Sequence, residues 1–224
     1  MIKSPYKMSL KANFNQKIYN ERFENLEKRR KLWTVLTEGF FQKYVRKDDT
    51  LLDFGAGYCE FINTIKCKKK IAADTDIGFK KYSGKNVQFV QLKKNIIPLK
   101  KSSVDVIFIS NVFEHLTKSE ICKTILECKR ILKTNGKMLI LQPNIRFCSK
   151  DYWMFFDHIT PIDDRALEEV FRVSGFTLIN KILRFLPYTT KGNLPINMFL
   201  VKIYLFFPFL WRFFGKQSFL VFKK

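Results

Sequence analysis

Cysteine, glycine and proline are scarce in this sequence of 224 residues, which contains five, nine and seven of them, respectively. No two cysteines have the C-x-x-C spacing and their number is odd, which argues against a disulfide framework or a zinc ribbon. So few glycines and prolines leave little room for flexible linkers, and a hydrophobic content of 46% is too high for a disordered chain. The composition therefore predicts a globular protein with a proper core.

Acidic residues are also few: 20 Asp and Glu oppose 41 Lys and Arg, which gives a formal net charge of +21. A surface of this kind favours nucleic acid, anionic lipid or a phosphorylated substrate as a partner. A general compositional bias toward lysine would produce the same excess, so the net charge alone does not select a function.

Long hydrophobic runs are missing as well, because no stretch reaches the roughly 20 apolar residues that a membrane-spanning helix needs. The nearest approach, residues 194–214, is interrupted by Pro195, Lys202, Pro208 and Arg212, among others. Residues 1–17 contain no apolar core of a secretory signal. Together with the unpaired cysteines, this pattern predicts a protein of the cytoplasm.

The order of apolar segments predicts a doubly wound α/β fold. Residues 14–46 have the spacing of amphipathic helices, with Tyr19 and Phe23 on the apolar side. From residue 50 onward, short apolar runs alternate with helical stretches, which is typical of a parallel sheet covered on both faces. These runs are 51–54, 70–74, 87–90, 104–110, 137–142, 176–183 and 218–222. The longest helical stretch, 112–133, is expected to end before Gly136.

The sharpest motif lies where the first buried run enters a glycine turn at residues 53–57. Glycines let the backbone approach a ligand, and the helix that follows offers free N–H groups. The carboxylate of Asp53 repels a pyrophosphate and suits a cationic or amino-bearing ligand. Asp74 ends the next run, where an acidic residue reaches ribose hydroxyls in nucleotide-binding folds. A helix N-cap is an alternative role for Asp74, and Asp76 is an alternative residue for the ribose.

Four motifs in this order resemble the class I S-adenosylmethionine-dependent methyltransferases over about residues 48–182. They are DFGAG at 53–57, AAD at 72–74, VDVIFISNVFEHL at 104–116 and ILKTNGKMLILQPN at 131–144. The resemblance implies a Rossmann-like, seven-stranded, mostly parallel sheet with S-adenosylmethionine as the cofactor. It also implies an N-terminal helical cap (1–47) and a methyltransferase domain (48–224), with an aromatic insertion at about 184–215 between the last two strands. Cys59 replaces the third glycine that the family usually has in the turn.

The same resemblance assigns the cofactor contacts, and it implies no metal ion. The first strand and its turn would hold the methionine part, the second strand the ribose, and the loop after the fourth strand would close over the cofactor. The residues that match these positions are Asp53, Gly55, Ala56, Gly57, Asp74, Thr75, Ser110, Asn111 and Phe113.

The sequence has two histidines, of which His158 is the candidate catalytic residue. It follows the fifth apolar run, so we expect it at the carboxyl edge of the sheet, where ligands bind. Methyl transfer to a hydroxyl group requires removal of a proton, and a histidine oriented by Asp157 or another carboxylate suits that task. A hydrogen bond within its loop is the alternative role of His158. His115 follows Glu114 at a helix start and is interpreted as a structural residue.

The segment from Phe199 to Phe214 contains eight aromatic residues and only two charged ones, Lys202 and Arg212, and no acidic residue follows Glu169. Basic residues beside aromatic ones are typical of a segment that lies on an anionic membrane. Packing of these aromatics on the domain itself or on a second copy of the chain is the alternative.

The predicted function is methyl transfer to a small or lipid-linked acceptor, through a hydroxyl group in glycan biosynthesis. The pattern WxxFDHxTP at 153–161 resembles bacterial methyltransferases of surface glycan biosynthesis. A quinone or RNA methyltransferase and a non-catalytic cofactor-binding scaffold at the membrane are alternatives. RNA is disfavoured because the turn at 142–145 reads QPNI rather than NPPY. The expected partners are the acceptor and an anionic membrane surface, at the inner face of the membrane.

Overall fold

The structure is a computed structural model, and it describes residues 17–18, 21–22, 25–93, 96–188 and 197–224. The predictions that concern Tyr19, Phe23 and Pro195 lie outside these residues. Within the described residues, no helix is long and apolar enough to cross a membrane.

Seven strands form one sheet in the spatial order β3-β2-β1-β4-β5-β7-β6, which confirms the predicted fold class. The strands are β1 (Thr50–Phe54), β2 (Lys69–Asp74), β3 (Val87–Gln91), β4 (Val104–Ser110), β5 (Leu132–Pro143), β6 (Thr177–Leu186) and β7 (Gln217–Lys223). Only β7 is antiparallel to its neighbours, so β6 runs in the same direction as β1 to β5.

The strand order reverses between β1 and β4, which are direct neighbours although two strands separate them in the sequence. At such a switch point the loops after the two strands diverge, and a crevice opens at their carboxyl ends. The glycine turn after Phe54 and the loop after Ser110 therefore lie at the same place on the sheet edge.

Helices cover both faces of the sheet. They are α1 (Leu26–Gly39), α2 (Glu60–Thr64), α3 (Lys118–Ile131), α4 (Ile145–Cys148), α5 (Asp164–Val173), α6 (Met198–Phe206) and α7 (Trp211–Phe214). Short 3-10 helices lie at Phe41–Tyr44, Ile77–Tyr82, Phe113–His115, Tyr152–Met154 and Pro208–Leu210. On one face, Ile125 of α3 and Phe171 of α5 pack on the sheet. On the other face, Leu36 of α1 and Trp211 of α7 do so. The central strands are therefore buried on both sides, whereas β3 and β6 at the sheet edges are partly exposed.

The long helix predicted over 112–133 is divided in two, and its predicted end was wrong. The capping box of Thr117 and Glu120 begins α3, which ends at Ile131, and β5 begins at the next residue. Gly136 lies inside β5 rather than at a helix end. A Cβ atom there would lie 2.9 Å from the Lys133 carbonyl oxygen and 3.1 Å from that of Asp105, so a close backbone approach explains the glycine.

The aromatic segment between β6 and β7 forms α6, a 3-10 helix and α7. Trp211 is buried: its ring packs on Phe40 and Phe185, and its Nε1–H donates to the Tyr204 carbonyl. The expected membrane contact was therefore wrong for Trp211, which follows the alternative of packing on the domain itself. Six of the other aromatic residues are exposed, namely Phe199, Phe206, Phe207, Phe209, Phe213 and Phe214.

Candidate functional site

The glycine turn after β1 needs the left-handed backbone region three times, at Gly55 (φ +75°), Gly57 (φ +48°) and Cys59 (φ +58°). The N–H groups of Gly55 and Ala56 both donate to the Ala73 carbonyl at 2.8 and 3.1 Å, which ties the turn to the end of β2. Cys59 occupies its left-handed position as a fully buried non-glycine residue. The turn thus keeps its shape although the third glycine is missing.

The two glycines of the turn face different surroundings. A Cβ atom on Gly55 would lie 2.5 Å from Cγ2 of Val112, so the glycine permits contact with the loop after β4. A Cβ atom on Gly57 would meet nothing within 4 Å. The backbone at Gly57 therefore borders open space, where a ligand can approach it closely.

Asp53 is buried at the end of β1, directly below this turn. Burial raises its pKa well above the usual range, and the carboxylates of Glu60 and Asp74 act in the same direction. Glu60 is itself held by α1, where Arg29 Nε donates to Glu60 Oε1 at 2.6 Å. Such a concentration of negative charge favours a cationic ligand in the crevice.

Asp74 joins the end of β2 to the glycine turn, because its Oδ2 accepts a hydrogen bond from the Gly57 N–H at 2.9 Å. Its Oδ1 accepts from the Asp76 N–H at 3.0 Å, and burial raises the pKa of the group. Asp76 has the N-cap role, since its carboxylate accepts from the Gly78 N–H at the start of a 3-10 helix. Thr75 is exposed beside Asp74.

The loop after β4 brings Ser110 and Asn111 to the same crevice edge. Asn111 has φ +53°, and its N–H donates to the Leu141 carbonyl. The side-chain oxygen of Asn111 is buried and has no hydrogen-bond partner among the described residues. Phe113 lies elsewhere: its ring is fully buried in the core, 6.3 Å from that of Phe171. The structure therefore does not bring the Phe113 side chain together with the other predicted contacts.

These residues fit S-adenosylmethionine, which carries a positive sulfonium and amino group and a ribose with two hydroxyls. The buried carboxylate of Asp53 suits the positive charge, and the carboxylate of Asp74 suits the ribose hydroxyls. The open backbone at Gly57 lets the ligand come close to the turn. The unsatisfied acceptor of Asn111 offers one further polar contact, and an unsatisfied buried group is costly unless a ligand meets it.

A second group of polar side chains begins three residues after Asn111. The rings of His115 and His158 lie 5.0 Å apart at an angle of 76°. The Glu114 side chain is buried, with 1% of the residue exposed. Its Oε2 accepts a hydrogen bond from Gln142 Nε2 at 2.9 Å. The other oxygen of Glu114, Oε1, lies 3.9 Å from His115 Nε2. Burial raises the pKa of Glu114. The backbone also joins the two loops, because the Ile159 N–H donates to the Glu114 carbonyl at 2.7 Å.

His158 lies deeper than His115, with 8% of its surface exposed. Its ring contacts Tyr152, Phe155 and Tyr188, and the Tyr188 hydroxyl lies 3.5 Å from His158 Nδ1. Burial and the neighbouring His115 lower the pKa of His158 to about 4.

Asp157 was expected to orient His158, but this expectation was wrong. His115 Nδ1 lies 3.0 Å from the Asp157 carbonyl oxygen and 3.3 Å from its Oδ2. Arg22 donates to Asp157 Oδ1 at 2.6 Å, and the pKa of Asp157 is lowered by Arg22 and His115 although burial opposes this. Sequence reasoning missed this role of His115, because its partner Asp157 is distant in the sequence.

Comparison with known proteins gives one matching family model, described as a methyltransferase domain, which covers residues 52–140. No curated protein matches the sequence.

The fold is similar to several solved structures. A S-adenosylmethionine-dependent methyltransferase from Archaeoglobus fulgidus is 16% identical, with a TM-score of 0.65 over 93% of this chain and 99% of that one. A possible histamine N-methyltransferase from Thermotoga maritima is also 16% identical, with a TM-score of 0.65 over 92% of this chain and 97% of that one. A complex between the Haloferax volcanii Trm112 methyltransferase activator and a methyltransferase gives 14% identity and a TM-score of 0.64, over 100% and 98% of the two chains. Residues 52–140 therefore match a methyltransferase domain, and the fold of the chain is that of S-adenosylmethionine-dependent methyltransferases.

Proposed function

We propose that the enzyme methylates a hydroxyl group of a small or lipid-linked acceptor in glycan biosynthesis. The observation that carries this proposal is the cluster of Glu114, His115, Asp157 and His158 beside the cofactor crevice. A hydroxyl oxygen becomes a good nucleophile only when its proton is removed, and a site for an amine acceptor has less need of such a cluster.

Asp53, Gly55, Ala56, Gly57, Asp74, Thr75, Ser110 and Asn111 are proposed to hold the cofactor. The carboxylate of Asp53 balances its positive charge, and the carboxylate of Asp74 accepts hydrogen bonds from the ribose hydroxyls. When bound, S-adenosylmethionine would supply an electrophilic methyl group for transfer to the acceptor. Phe113 supports the loop after β4 from the core, with its ring turned away from the crevice.

His158 is proposed to act on the acceptor oxygen, with His115 at the mouth of the cluster. The His115 side chain is 20% exposed, so an acceptor can reach it from solvent. His158 lies behind His115, where it packs against the rings of Tyr152, Phe155 and Tyr188. These rings keep water from the inner side of His158. This arrangement orients the acceptor oxygen, and orientation is a large part of catalysis in a direct displacement.

The acceptor is proposed to be carried by a lipid, because the segment between β6 and β7 offers exposed aromatic rings beside free cationic groups. Phe206 is 76% and Phe213 70% exposed, and Lys202 and Arg212 are exposed as well. Exposed aromatics beside basic residues are typical of segments that bind the surface of an anionic membrane, which supports the proposal that the enzyme acts at the inner face of the membrane.

The test is methyl transfer from labelled S-adenosylmethionine to a membrane extract, followed by separation of the products. We expect label in an alkali-stable methyl ether of a lipid-linked sugar. Label in a quinone, in RNA or in an amine would contradict the glycan assignment, and the absence of any transfer would favour the scaffold.

A further inference from the structure

Three side chains from two separate loops form a compact set of metal-ligating groups, namely Glu114, His115 and His158. Each offers one ligand atom, and these atoms all lie within 4.8 Å of one another. We propose that this set binds one divalent transition-metal ion of the zinc type. The sequence predicted no metal, because the two histidines are far apart along the chain and come together only when the loops fold.

The donor set selects the kind of ion. Two imidazole nitrogens and one carboxylate, with further coordination positions open, are typical ligands of catalytic zinc. Magnesium prefers oxygen ligands in octahedral geometry, so two histidines disfavour it.

The distances leave only a small adjustment. In a tetrahedral site with zinc bonds of about 2.0–2.1 Å, ligand atoms lie about 3.3 Å apart. The Nε2 atom of His115 lies 3.9 Å from Glu114 Oε1. Shifts of about 1 Å at the side-chain ends would bring the ligand atoms to the spacing that zinc requires.

Contacts around His115 and Glu114 orient these two residues as ligands. His115 Nδ1 faces the carbonyl oxygen of Asp157, which only accepts, so Nδ1 carries the proton and Nε2 keeps its lone pair. Gln142 Nε2 donates to Glu114 Oε2, which leaves Oε1 facing His115. Hydrogen bonds of this kind fix metal-ligating histidines and carboxylates in known sites.

The inference rests on the proposed function in one respect, the role of the ion. An acceptor hydroxyl in an open coordination position is favoured in its deprotonated form, and its proton passes to water. His158 then acts on the acceptor as a ligand of the ion, in place of the role of a base.

Metal binding is tested without any methyl transfer. The full chain is treated with EDTA, desalted and titrated with Zn²⁺ in a calorimeter, and separately with Co²⁺ under visible absorption. We expect one ion per chain and a Co²⁺ spectrum of four- or five-coordinate nitrogen and oxygen ligands. Glu114→Gln keeps the shape of the side chain and should weaken Zn²⁺ binding by at least about tenfold. The matched control is Asp164→Asn, a buried carboxylate outside the cluster, which should leave Zn²⁺ binding unchanged.

Several outcomes would overturn the site. These are Zn²⁺ binding that Glu114→Gln does not change, a thiolate-to-cobalt charge-transfer band from the free cysteines, and no binding at all. If Glu114→Gln lowers the melting temperature too far, His115→Ala decides, because this partly exposed residue is the easier one to replace. Methyl transfer to hydroxyls that survives EDTA would refute the role given to the ion and leave the proposed function intact. Zn²⁺ binding without methyl transfer to any hydroxyl would confirm the metal site and refute the proposed function.

Discussion

Replacing Gly57 by alanine tests whether the cofactor approaches the open side of the glycine turn. The backbone there has φ +48°, a region that costs a residue with a Cβ atom about 1–2 kcal/mol. The new methyl group would meet no protein atom within 4 Å, so no steric clash adds to this loss of stability. If S-adenosylmethionine lies against this backbone, the methyl group occupies its space. We expect a loss of affinity of at least tenfold, or about 1.4 kcal/mol.

The matched control is Gly175→Ala, at a glycine with φ +79° that lies between α5 and β6. Its added Cβ would displace the end of the Lys129 side chain, whose Nζ donates to the Ser174 carbonyl, so the loss of stability should be at least as large as for Gly57→Ala. Calorimetric titration with S-adenosylmethionine and thermal unfolding are measured for both variants. Only Gly57→Ala should lose affinity. Wild-type affinity in a folded Gly57→Ala protein, or an equal loss in both variants, would refute the reasoning.

Three further predictions concern charge, catalysis and the membrane. The folded protein raises the pKa of Asp53 above its ordinary 3.8, so it binds more protons than the unfolded chain and loses stability as the pH rises above that value. Asp53→Asn should therefore raise the melting temperature of the cofactor-free protein at neutral pH but not at pH 3. The same substitution should abolish the stabilisation by S-adenosylmethionine. An equal shift of the melting temperature at both pH values would contradict this reasoning. His158→Ala should lower turnover by about 10²–10⁴ with cofactor affinity unchanged, whereas wild-type turnover would make His158 a loop residue. Replacing exposed Phe206 and Phe207 by serine should reduce flotation with anionic vesicles at low salt, and a wild-type protein that stays in the soluble fraction would exclude the membrane.

The sheet and the cofactor turn could be predicted because their signals are local. A buried strand shows as a continuous apolar run, and a turn that needs positive φ shows as glycine. Both kinds of signal lie within a few neighbouring residues, and β1, β2 and β4 formed close to the predicted positions. Gly136 misled the prediction because a glycine also marks close backbone packing, which depends on the neighbouring strand.

The face of an aromatic residue could not be predicted from composition alone. Trp211 and Phe213 stand two positions apart in the same apolar segment, but one is buried and the other is 70% exposed. The difference arises because Trp211 reaches Phe40 near the end of α1, a contact between segments that are distant in the sequence. Membrane binding therefore has to be tested on the exposed phenylalanines, since a substitution of Trp211 would damage the core and reduce binding for an unrelated reason.

The histidine cluster is the part of the site that depends most on tertiary structure. Glu114 and His115 end the loop after β4 at the switch point, where the family motif also places them. His158 and Asp157 reach them from the segment after β5, which is held by backbone hydrogen bonds from Ile159 and Thr160 to the Glu114 carbonyl. The same contact between the two loops gives His115 the Asp157 carbonyl as a partner and brings the ligand atoms of Glu114, His115 and His158 together. If the proposed function is right, a chain that keeps the motif but lacks these contacts would bind the cofactor without activating a hydroxyl, and the choice of acceptor would depend on the segment after β5.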